Sequence, residues 1–323
     1  MIRWILYSLL SLCIIMFHPA SVSAQVNRAL LIGISEYPDE GGWTTIHGAT
    51  DVLRLEKTLC QKDFKVTKLI DKEATYENIT KALDKLIEQT HEGDGIYLHF
   101  SCHGQPFEDL DGDETDGWDE AIVPYDVPQS YKKDHYEGER HLTDDKLNQY
   151  LKALRKKAGT KGYLTAVMDA CHAGTSYRGE EEAPVRGTNR GFSRKNQLYR
   201  PNKLEKANTY QIVNENGLSP IVILEACRPY QQNREIKEEG QFMGALSWYV
   251  EQKLSASGSW RDADWIEQVQ EAMKADIRLT NQNMVIEKAG EFAINCNTPP
   301  ELNTNNHAAA ISMNCRIGQS RFP

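Results

Sequence analysis

The chain has 323 residues, of which 40% are hydrophobic and 26% charged, which is ordinary for a globular protein with one large domain or two small ones. Its formal net charge of −9 at neutral pH argues against a general nucleic-acid-binding protein, because such proteins usually present a basic face.

The first 24 residues have the pattern of a signal peptide. Arg3 is their only charge, a largely apolar run extends from Trp4 to Phe17, and small residues lead up to Ala24. The run is too short to span a bilayer, so we expect cleavage after Ala24 and a secreted or periplasmic protein without a membrane segment.

Short apolar runs alternate with helical patterns along the rest of the chain. Strands are predicted over 28–34, 65–70, 95–101, 163–169 and 220–226. Helices are predicted over 50–59, after the N-caps Thr75 and Thr143, and over 243–254 and 264–277. This alternation is typical of an α/β fold with an open, mostly parallel sheet and helices on both faces. The polar stretches 106–140 and 175–208 are predicted to be long loops.

Two residues with nucleophilic or basic side chains lie just after the ends of predicted strands. His103 comes after the strand 95–101, and Cys171 comes after the strand 163–169. The carboxyl ends of parallel strands meet at one edge of a sheet, which is where ligands bind. A thiol attacks a carbonyl as its thiolate and needs an imidazole to take its proton, so the pattern indicates a Cys–His pair beside the Gly104 N–H, a candidate oxyanion-hole donor. Taken singly, each residue is more often a structural histidine or a core cysteine.

Several local motifs in this order resemble metacaspases and their bacterial caspase-like relatives. They are RALLIGISEY (28–37), HFSCHG (99–104), DGDETDGWDEAIVPYD (111–126), LTDDKL (142–147) and TAVMDACHAGT (165–175). The resemblance covers roughly residues 28–290 and implies the caspase–haemoglobinase fold, with a caspase-like peptidase domain over 25–295. It also implies that His103 is the general base and Cys171 the nucleophile. The polar, asparagine-rich composition of residues 296–323 predicts a C-terminal tail.

The same resemblance implies cleavage after Arg or Lys through an acidic primary pocket. Asp169 and Ser101 lie two residues before Cys171 and His103, so each shares a strand face with a catalytic candidate. A carboxylate at that place would pair with a guanidinium or ammonium group.

Two further pocket residues are implied by the resemblance. Asp51, in HGATDV (47–52), is a candidate pocket acid, with the alternative that it stabilises the N-terminus of a helix. Phe242, in GQFMGALS (240–247), is a candidate wall of the substrate groove.

Calcium is a candidate ion, although the Cys–His chemistry requires no cofactor. The resemblance points to Asp119, Asp144 and Asp145 as ligands, whereas Arg178 stands where the family has another acid. A solvated acidic loop is the alternative, and Asp144 and Asp145 also suit the first turn of a helix without any metal. Glu114 replaces the glycine that an EF-hand loop requires.

The loop after Cys171 is a candidate processing loop, since in this clan it is often cut during activation. It carries four arginines at which an arginine-specific enzyme would cut itself, namely Arg186, Arg190, Arg194 and Arg200. The alternative is a solvated basic loop.

Four of the remaining cysteines have simple interpretations. Cys60 and Cys227 are predicted to be ordinary buried residues. Cys296 and Cys315 flank part of the polar tail and would be able to pair in an oxidising compartment.

The leading hypothesis is a cysteine endopeptidase that acts on protein or peptide substrates after Arg, and also Lys. One alternative is a catalytically silent caspase-like scaffold that binds peptides, against which the intact His103, Cys171 and Asp169 argue. A gingipain- or clostripain-like enzyme is a third possibility. The oligomeric state is not predicted.

Overall fold

A computed structural model describes residues 24–112, 114, 117–171, 183–195, 199 and 208–290. The signal-peptide pattern before Ala24, Arg178, Arg200 and the tail with Cys296 and Cys315 lie outside the described residues. None of the helices within those ranges is both long and apolar enough to cross a membrane.

The described residues contain twelve strands and five α-helices. The strands are β1 Asn27–Gly33, β2 Phe64–Ile70, β3 Gly95–Ser101, β4 Gly104–Glu108, β5 Trp118–Ile122, β6 Leu142–Thr143, β7 Tyr163–Asp169, β8 Thr209–Gln211, β9 Ile221–Glu225, β10 Glu235–Glu238, β11 Gln241–Gly244 and β12 Val285–Ala289. The helices are α1 Gly48–Gln61, α2 Tyr76–Gln89, α3 Asp144–Ala158, α4 Ala245–Ala256 and α5 Asp264–Ala275.

Seven strands form the central sheet in the order β2-β1-β3-β7-β9-β12-β8. The first five are parallel, β12 runs antiparallel to β9, and β8 pairs in parallel with β12 at the edge. The predicted α/β class with a mostly parallel sheet is therefore confirmed. Thr75 and Thr143 cap α2 and α3 as predicted, each accepting a backbone N–H three residues later.

The sheet separates two hydrophobic cores, and neighbouring residues of one strand supply both. Leu30 and Ile32 of β1 pack on the side of α2 and α3, whereas Ala29 and Leu31 pack on the side of α1, α4 and α5. Side chains alternate between the faces of a strand, so a strand covered on both faces reads as a continuous apolar run. This is why the buried strands are visible in the sequence.

The stretch 106–140 is not the long loop that we predicted. Most of β4 and all of β5 lie in it, and with β6 they form a small antiparallel sheet in the order β4-β5-β6. The strands are short, and their buried side chains Phe107 and Ile122 stand among acidic residues that hide the alternation. Because β4 begins directly after His103, this sheet fixes the backbone of Gly104.

The described part of the second predicted loop also packs against the domain. Within 183–195, Gly187 bridges to Gly104, and Phe192 bridges to Phe107, whose ring centroid lies 5.5 Å from that of Phe192. This segment therefore returns to β4 beside the sheet edge that carries His103.

A close backbone approach sets the position of α1. A Cβ on Gly48 would lie 2.0 Å from the Ser101 oxygen and 2.7 Å from the Ile34 oxygen, so only glycine fits there. The first turn of α1 is thereby held against the ends of β1 and β3, and Asp51 belongs to that turn.

Two cysteine predictions have different outcomes. Cys227 is buried as expected, but Cys60 is exposed. α1 is amphipathic and buries Leu55 and Leu59 instead, so Cys60 lies on its solvent side.

Candidate active site

His103 lies beyond the end of β3 with its two ring nitrogens in different roles. Nε2 is 2.8 Å from the Thr44 carbonyl oxygen, which only accepts, so Nε2 carries the proton. Nδ1 is buried and has no hydrogen-bond partner among the described residues. Burial lowers the pKa of His103 to about 4, despite the bond to Thr44. The imidazole is therefore neutral near pH 7, with Nδ1 ready to accept a proton.

Cys171 lies at the same sheet edge, since Ser101 at the end of β3 pairs in register with Asp169 at the end of β7. The Cys171 thiol is buried and donates to the Gln231 carbonyl oxygen at 2.9 Å. The Sγ of Cys227 is 3.4 Å from the Sγ of Cys171. The contact with Cys171 and burial together raise the pKa of Cys227, which therefore remains a protonated donor toward the Cys171 sulfur.

One carbonyl oxygen receives two backbone donors beside this thiol. The Arg186 oxygen accepts from the N–H of Cys171 at 2.9 Å and from the N–H of Gly104 at 3.3 Å. Gly187, the residue after Arg186, also lies against Cys171, since a Cβ built on Gly187 would be 3.1 Å from the Cys171 Cβ. Two convergent N–H groups are the arrangement that stabilises a carbonyl oxygen as it gains negative charge.

The side chain of Arg186 is 0% exposed and lies in an acidic pocket. Its Nη2 is 2.7 Å from Asp51 Oδ2 and 2.7 Å from Glu235 Oε1, and its Nε is 3.1 Å from the same Glu235 oxygen. Nη1 donates to Ser101 Oγ and lies 3.7 Å from Asp169 Oδ1. The structure thus brings Asp51, Ser101 and Asp169 around one guanidinium group.

The three pocket carboxylates differ in their electrostatics. Burial raises the pKa of Asp51 to about 7, with Asp169 and Glu235 adding to the shift and Arg186 opposing it. Burial also disfavours ionisation of Asp169 and Glu235, but Arg186 and hydrogen bonds outweigh it and hold both pKa values below the usual range. The same carboxylates raise the pKa of Arg186 against the effect of its burial.

Backbone and side-chain donors hold the carboxylates in place. Asp169 Oδ2 accepts from the N–H and hydroxyl of Ser247, and Asp169 Oδ1 accepts from Asn233. The N–H of Gly244 donates to Asp51 at 3.2 Å. A Cβ on Gly244 would lie 2.2 Å from Asp169 Oδ2 and 2.6 Å from Arg186 Cζ, so the pocket requires glycine there.

The loop arginines have different environments, which the sequence does not distinguish. Arg190 and Arg194 are exposed, and Arg190 donates to Ser130. Arg186 is instead fully buried, so the alternative of a solvated basic loop is wrong for this residue.

No motif marks Glu235 in the sequence, and HGATDV (47–52) indicates a role for Asp51 but none for its first residue, His47, the partner of Glu235. The ring centroid of the predicted groove residue Phe242 lies 5.8 Å from that of His47.

The candidate calcium ligands form a separate acidic cluster. Asp119 and Asp144 are buried, and Asp144 Oδ1 has no hydrogen-bond partner among the described residues. Burial, Asp119 and Asp145 raise the pKa of Asp144. No group of three candidate ligands able to hold a metal occurs within the described ranges, from which the neighbouring Asp113 and Asp116 are missing.

The segment that contains these side chains matches a known protein family. A family model described as the metacaspase, peptidase C14 domain matches residues 27–178, which span the acidic cluster, His103 and Cys171. Residues 27–178 are therefore similar to a metacaspase domain. Members of this family are cysteine-type peptidases, and the resemblance that we inferred from the motifs is confirmed.

Curated metacaspases resemble the chain mainly over this domain. Metacaspase-1 of Pyricularia oryzae is 33% identical over 160 residues, which are 46% of this chain and 37% of that protein. Metacaspase-1A of Aspergillus fumigatus is 25% identical over 260 residues, which are 68% of this chain and 59% of that protein. The chain spans less than half the length of the first curated metacaspases it matches.

The fold extends beyond the metacaspase domain. A crystal structure of a Geobacter sulfurreducens protein matches with a TM-score of 0.56 and 21% identity, covering 82% of this chain and 94% of the other. At that identity the likeness concerns the fold alone.

Proposed function

We propose that this chain is a cysteine endopeptidase that cleaves after arginine, and that its first substrate is its own Arg186–Gly187 bond. One observation carries the proposal. The Arg186 carbonyl oxygen accepts from two N–H groups beside Cys171, while the Arg186 side chain lies among three carboxylates. The segment is thus bound as a substrate would be.

The proposed reaction uses the groups around that carbonyl. The Cys171 thiol leaves the Gln231 carbonyl, gives its proton to His103 Nδ1, and attacks the carbonyl carbon of Arg186. The N–H groups of Cys171 and Gly104 stabilise the oxyanion. His103 then protonates the leaving amine of Gly187, and the Arg186 acyl-enzyme is hydrolysed by water, from which His103 takes a proton.

The acidic pocket supports selection of a basic residue before the cut bond. Asp51, Asp169 and Glu235 surround the side-chain position, and an aspartate side chain would meet three carboxyl groups there, of which Asp169 and Glu235 are ionised. The signal-peptide pattern supports the further proposal that the enzyme acts as a secreted or periplasmic protein.

The test is self-cleavage of the purified full chain, followed by gel electrophoresis and mass spectrometry. We expect one fragment to end at Arg186 and another to begin at Gly187. Cys171→Ala and His103→Ala should remain intact. Arg190→Ala and Arg194→Ala are matched controls from the same segment, and both should cut as the unmodified chain does. A Cys171→Ala chain that still cuts itself after Arg186 would overturn the proposal.

We also propose that this acidic cluster binds calcium, with Asp119, Asp144 and Asp145 supplying part of the ligand set, since these three do not by themselves form a metal-holding group in the described residues. The mutual repulsion of these acidic groups and the unpartnered Asp144 Oδ1 support this, because a bound cation would favour the ionised carboxylates. When bound, the ion would neutralise this cluster and hold it together.

Thermal unfolding tests the calcium proposal without relying on activity. In a Cys171→Ala background, calcium at 100 times its Kd should stabilise the fold by about 2.7 kcal/mol relative to a chelator, and therefore raise Tm. Asp144→Asn should abolish the shift, whereas Glu77→Gln, at an exposed acid on α2, should retain it. Equal Tm values with calcium and with chelator would rule the site out.

A further inference from the structure

The third pocket carboxylate contacts a part of the arginine side chain that lysine lacks. Glu235 Oε1 accepts from Arg186 Nε at 3.1 Å and from Nη2 at 2.7 Å. The Glu235 side chain is 0% exposed, so no water competes with these contacts. Both donors lie on one edge of the planar guanidinium group. The Nε donor is specific to arginine, because lysine has no nitrogen at that position.

The other pocket groups recognise only the end of the side chain. Ser101 and Asp169 face Nη1, and Asp51 faces Nη2. A lysine ammonium is a compact charge on a flexible stem and reaches that depth, but it has no donor at the position of Nε. Asp51, Ser101 and Asp169 therefore select for positive charge, whereas the pair of contacts to Glu235 selects for a guanidinium group.

A neighbouring histidine fixes the orientation of this carboxylate. The backbone N–H of His47 donates to Glu235 Oε1 at 2.7 Å, and His47 Nδ1 lies 2.6 Å from Glu235 Oε2. His47 occupies the N-cap position of α1, directly before Gly48, and its ring packs beside Phe242. With Oε2 engaged by the imidazole, Oε1 is directed at the guanidinium edge.

We propose that Glu235 makes the primary pocket selective for arginine over lysine, and that His47 is the residue that positions it. This inference rests on the proposed cleavage at Arg186–Gly187 and names what sets its specificity.

A double-mutant cycle on the full chain measures this selectivity. The four proteins are the unmodified chain, Arg186→Lys, Glu235→Gln and the double variant, and the measured quantity is the first-order rate of self-cleavage after residue 186. With Glu235 intact, the unmodified chain should cut itself after residue 186 about 10–100 times faster than the Arg186→Lys variant does. This is the effect of one charge-assisted hydrogen bond. In the Glu235→Gln background, the ratio should fall to about 3 or less.

A matched variant on the same strand controls for the change of carboxylate to amide. Glu238→Gln, at the other end of β10, makes that change on a side chain that pairs with Arg278, outside the pocket. Its ratio of arginine to lysine cleavage should equal that of the unmodified chain.

Two His47 variants test the positioning role. His47→Ala should lower the ratio of arginine to lysine cleavage several-fold, because Oε2 loses its donor. His47→Asn should restore most of the ratio, since its amide nitrogen takes about the place of Nδ1. Equal ratios in the two variants would remove His47 from the inference.

The outcomes separate this inference from the function on which it rests. If the unmodified chain is not cut after Arg186, the proposed function fails. If it is cut, but Glu235→Gln slows arginine and lysine chains by the same factor, Glu235 is only structural and the selectivity proposal is overturned.

Discussion

Replacing Asp169 by asparagine is expected to lower the rate of self-cleavage after Arg186 by about 100- to 1000-fold, the effect of losing charge-assisted hydrogen bonding at a buried site. The carboxylate lies 3.7 Å from Arg186 Nη1, and its two oxygens accept from Asn233 and Ser247. An asparagine would remove the charge and point an NH2 group at one of these donors. The rate is measured from the decay of the intact chain on gels.

Ser247→Ala separates the charge from its supporting contacts. It removes the hydroxyl donor to Asp169, 2.6 Å away, but keeps the carboxylate and the backbone donor. We expect it to slow self-cleavage by about 10-fold at most, in line with the loss of one hydrogen bond of about 1 kcal/mol. If Asp169→Asn cuts itself within about threefold of the unmodified chain, the Asp169 charge is not the main selector.

Removing Arg186 is expected to destabilise the uncut fold by about 3 kcal/mol at neutral pH, at the low end for breaking a buried ion pair because water can enter the vacated pocket. Arg186→Ala would leave Asp51, Asp169 and Glu235 without their common cation. The free energy of unfolding is measured by urea denaturation in a Cys171→Ala background, in which both chains stay intact.

The loss of unfolding free energy caused by Arg186→Ala should become smaller as the pH falls. With Arg186 present, the pKa values of Asp169 and Glu235 lie below the usual range, so their ionisation stabilises the fold above about pH 4 and that contribution is lost as the pH falls. Without Arg186, burial penalises the ionised carboxylates. The two chains should therefore differ most near neutral pH and converge under acidic conditions.

Arg190→Ala provides the matched control for Arg186→Ala. It makes the same change in charge at an exposed position four residues away, and should alter the free energy of unfolding by no more than about 0.5 kcal/mol. Equal destabilisation by both substitutions would show that the pocket ion pairs contribute nothing specific.

The sequence predicts those strands and helices whose hydrophobic residues form a regular pattern or a continuous run. The strands β1, β3, β7 and β9 appear as apolar runs because both of their faces are buried, and their order places His103 and Cys171 at one sheet edge. The resemblance to metacaspases then supplies Asp51, Ser101 and Asp169. Short strands among acidic residues, as in β4 and β5, have no such periodicity and are missed.

The remainder of the site depends on contacts between distant segments. Glu235 lies 188 residues from His47 in the chain, and β10 is a short charged strand without a motif. The sequence shows four arginines in one loop but not which of them is buried, because this depends on the bridge of Gly187 to Gly104. Long-range pairing of this kind is seen only in the folded protein.

The position of Arg186 also determines the order of events in solution. Arg186 belongs to the same chain as the nucleophile that it faces, 15 positions after Cys171, and a group joined covalently to its site has an effective concentration on the order of millimolar. Peptides at micromolar concentration would not compete with it, so an intact chain is closed to other substrates. If the proposed self-cleavage takes place, each molecule opens its own site with a half-time that is independent of protein concentration, and proteolysis of other proteins would begin only after that delay.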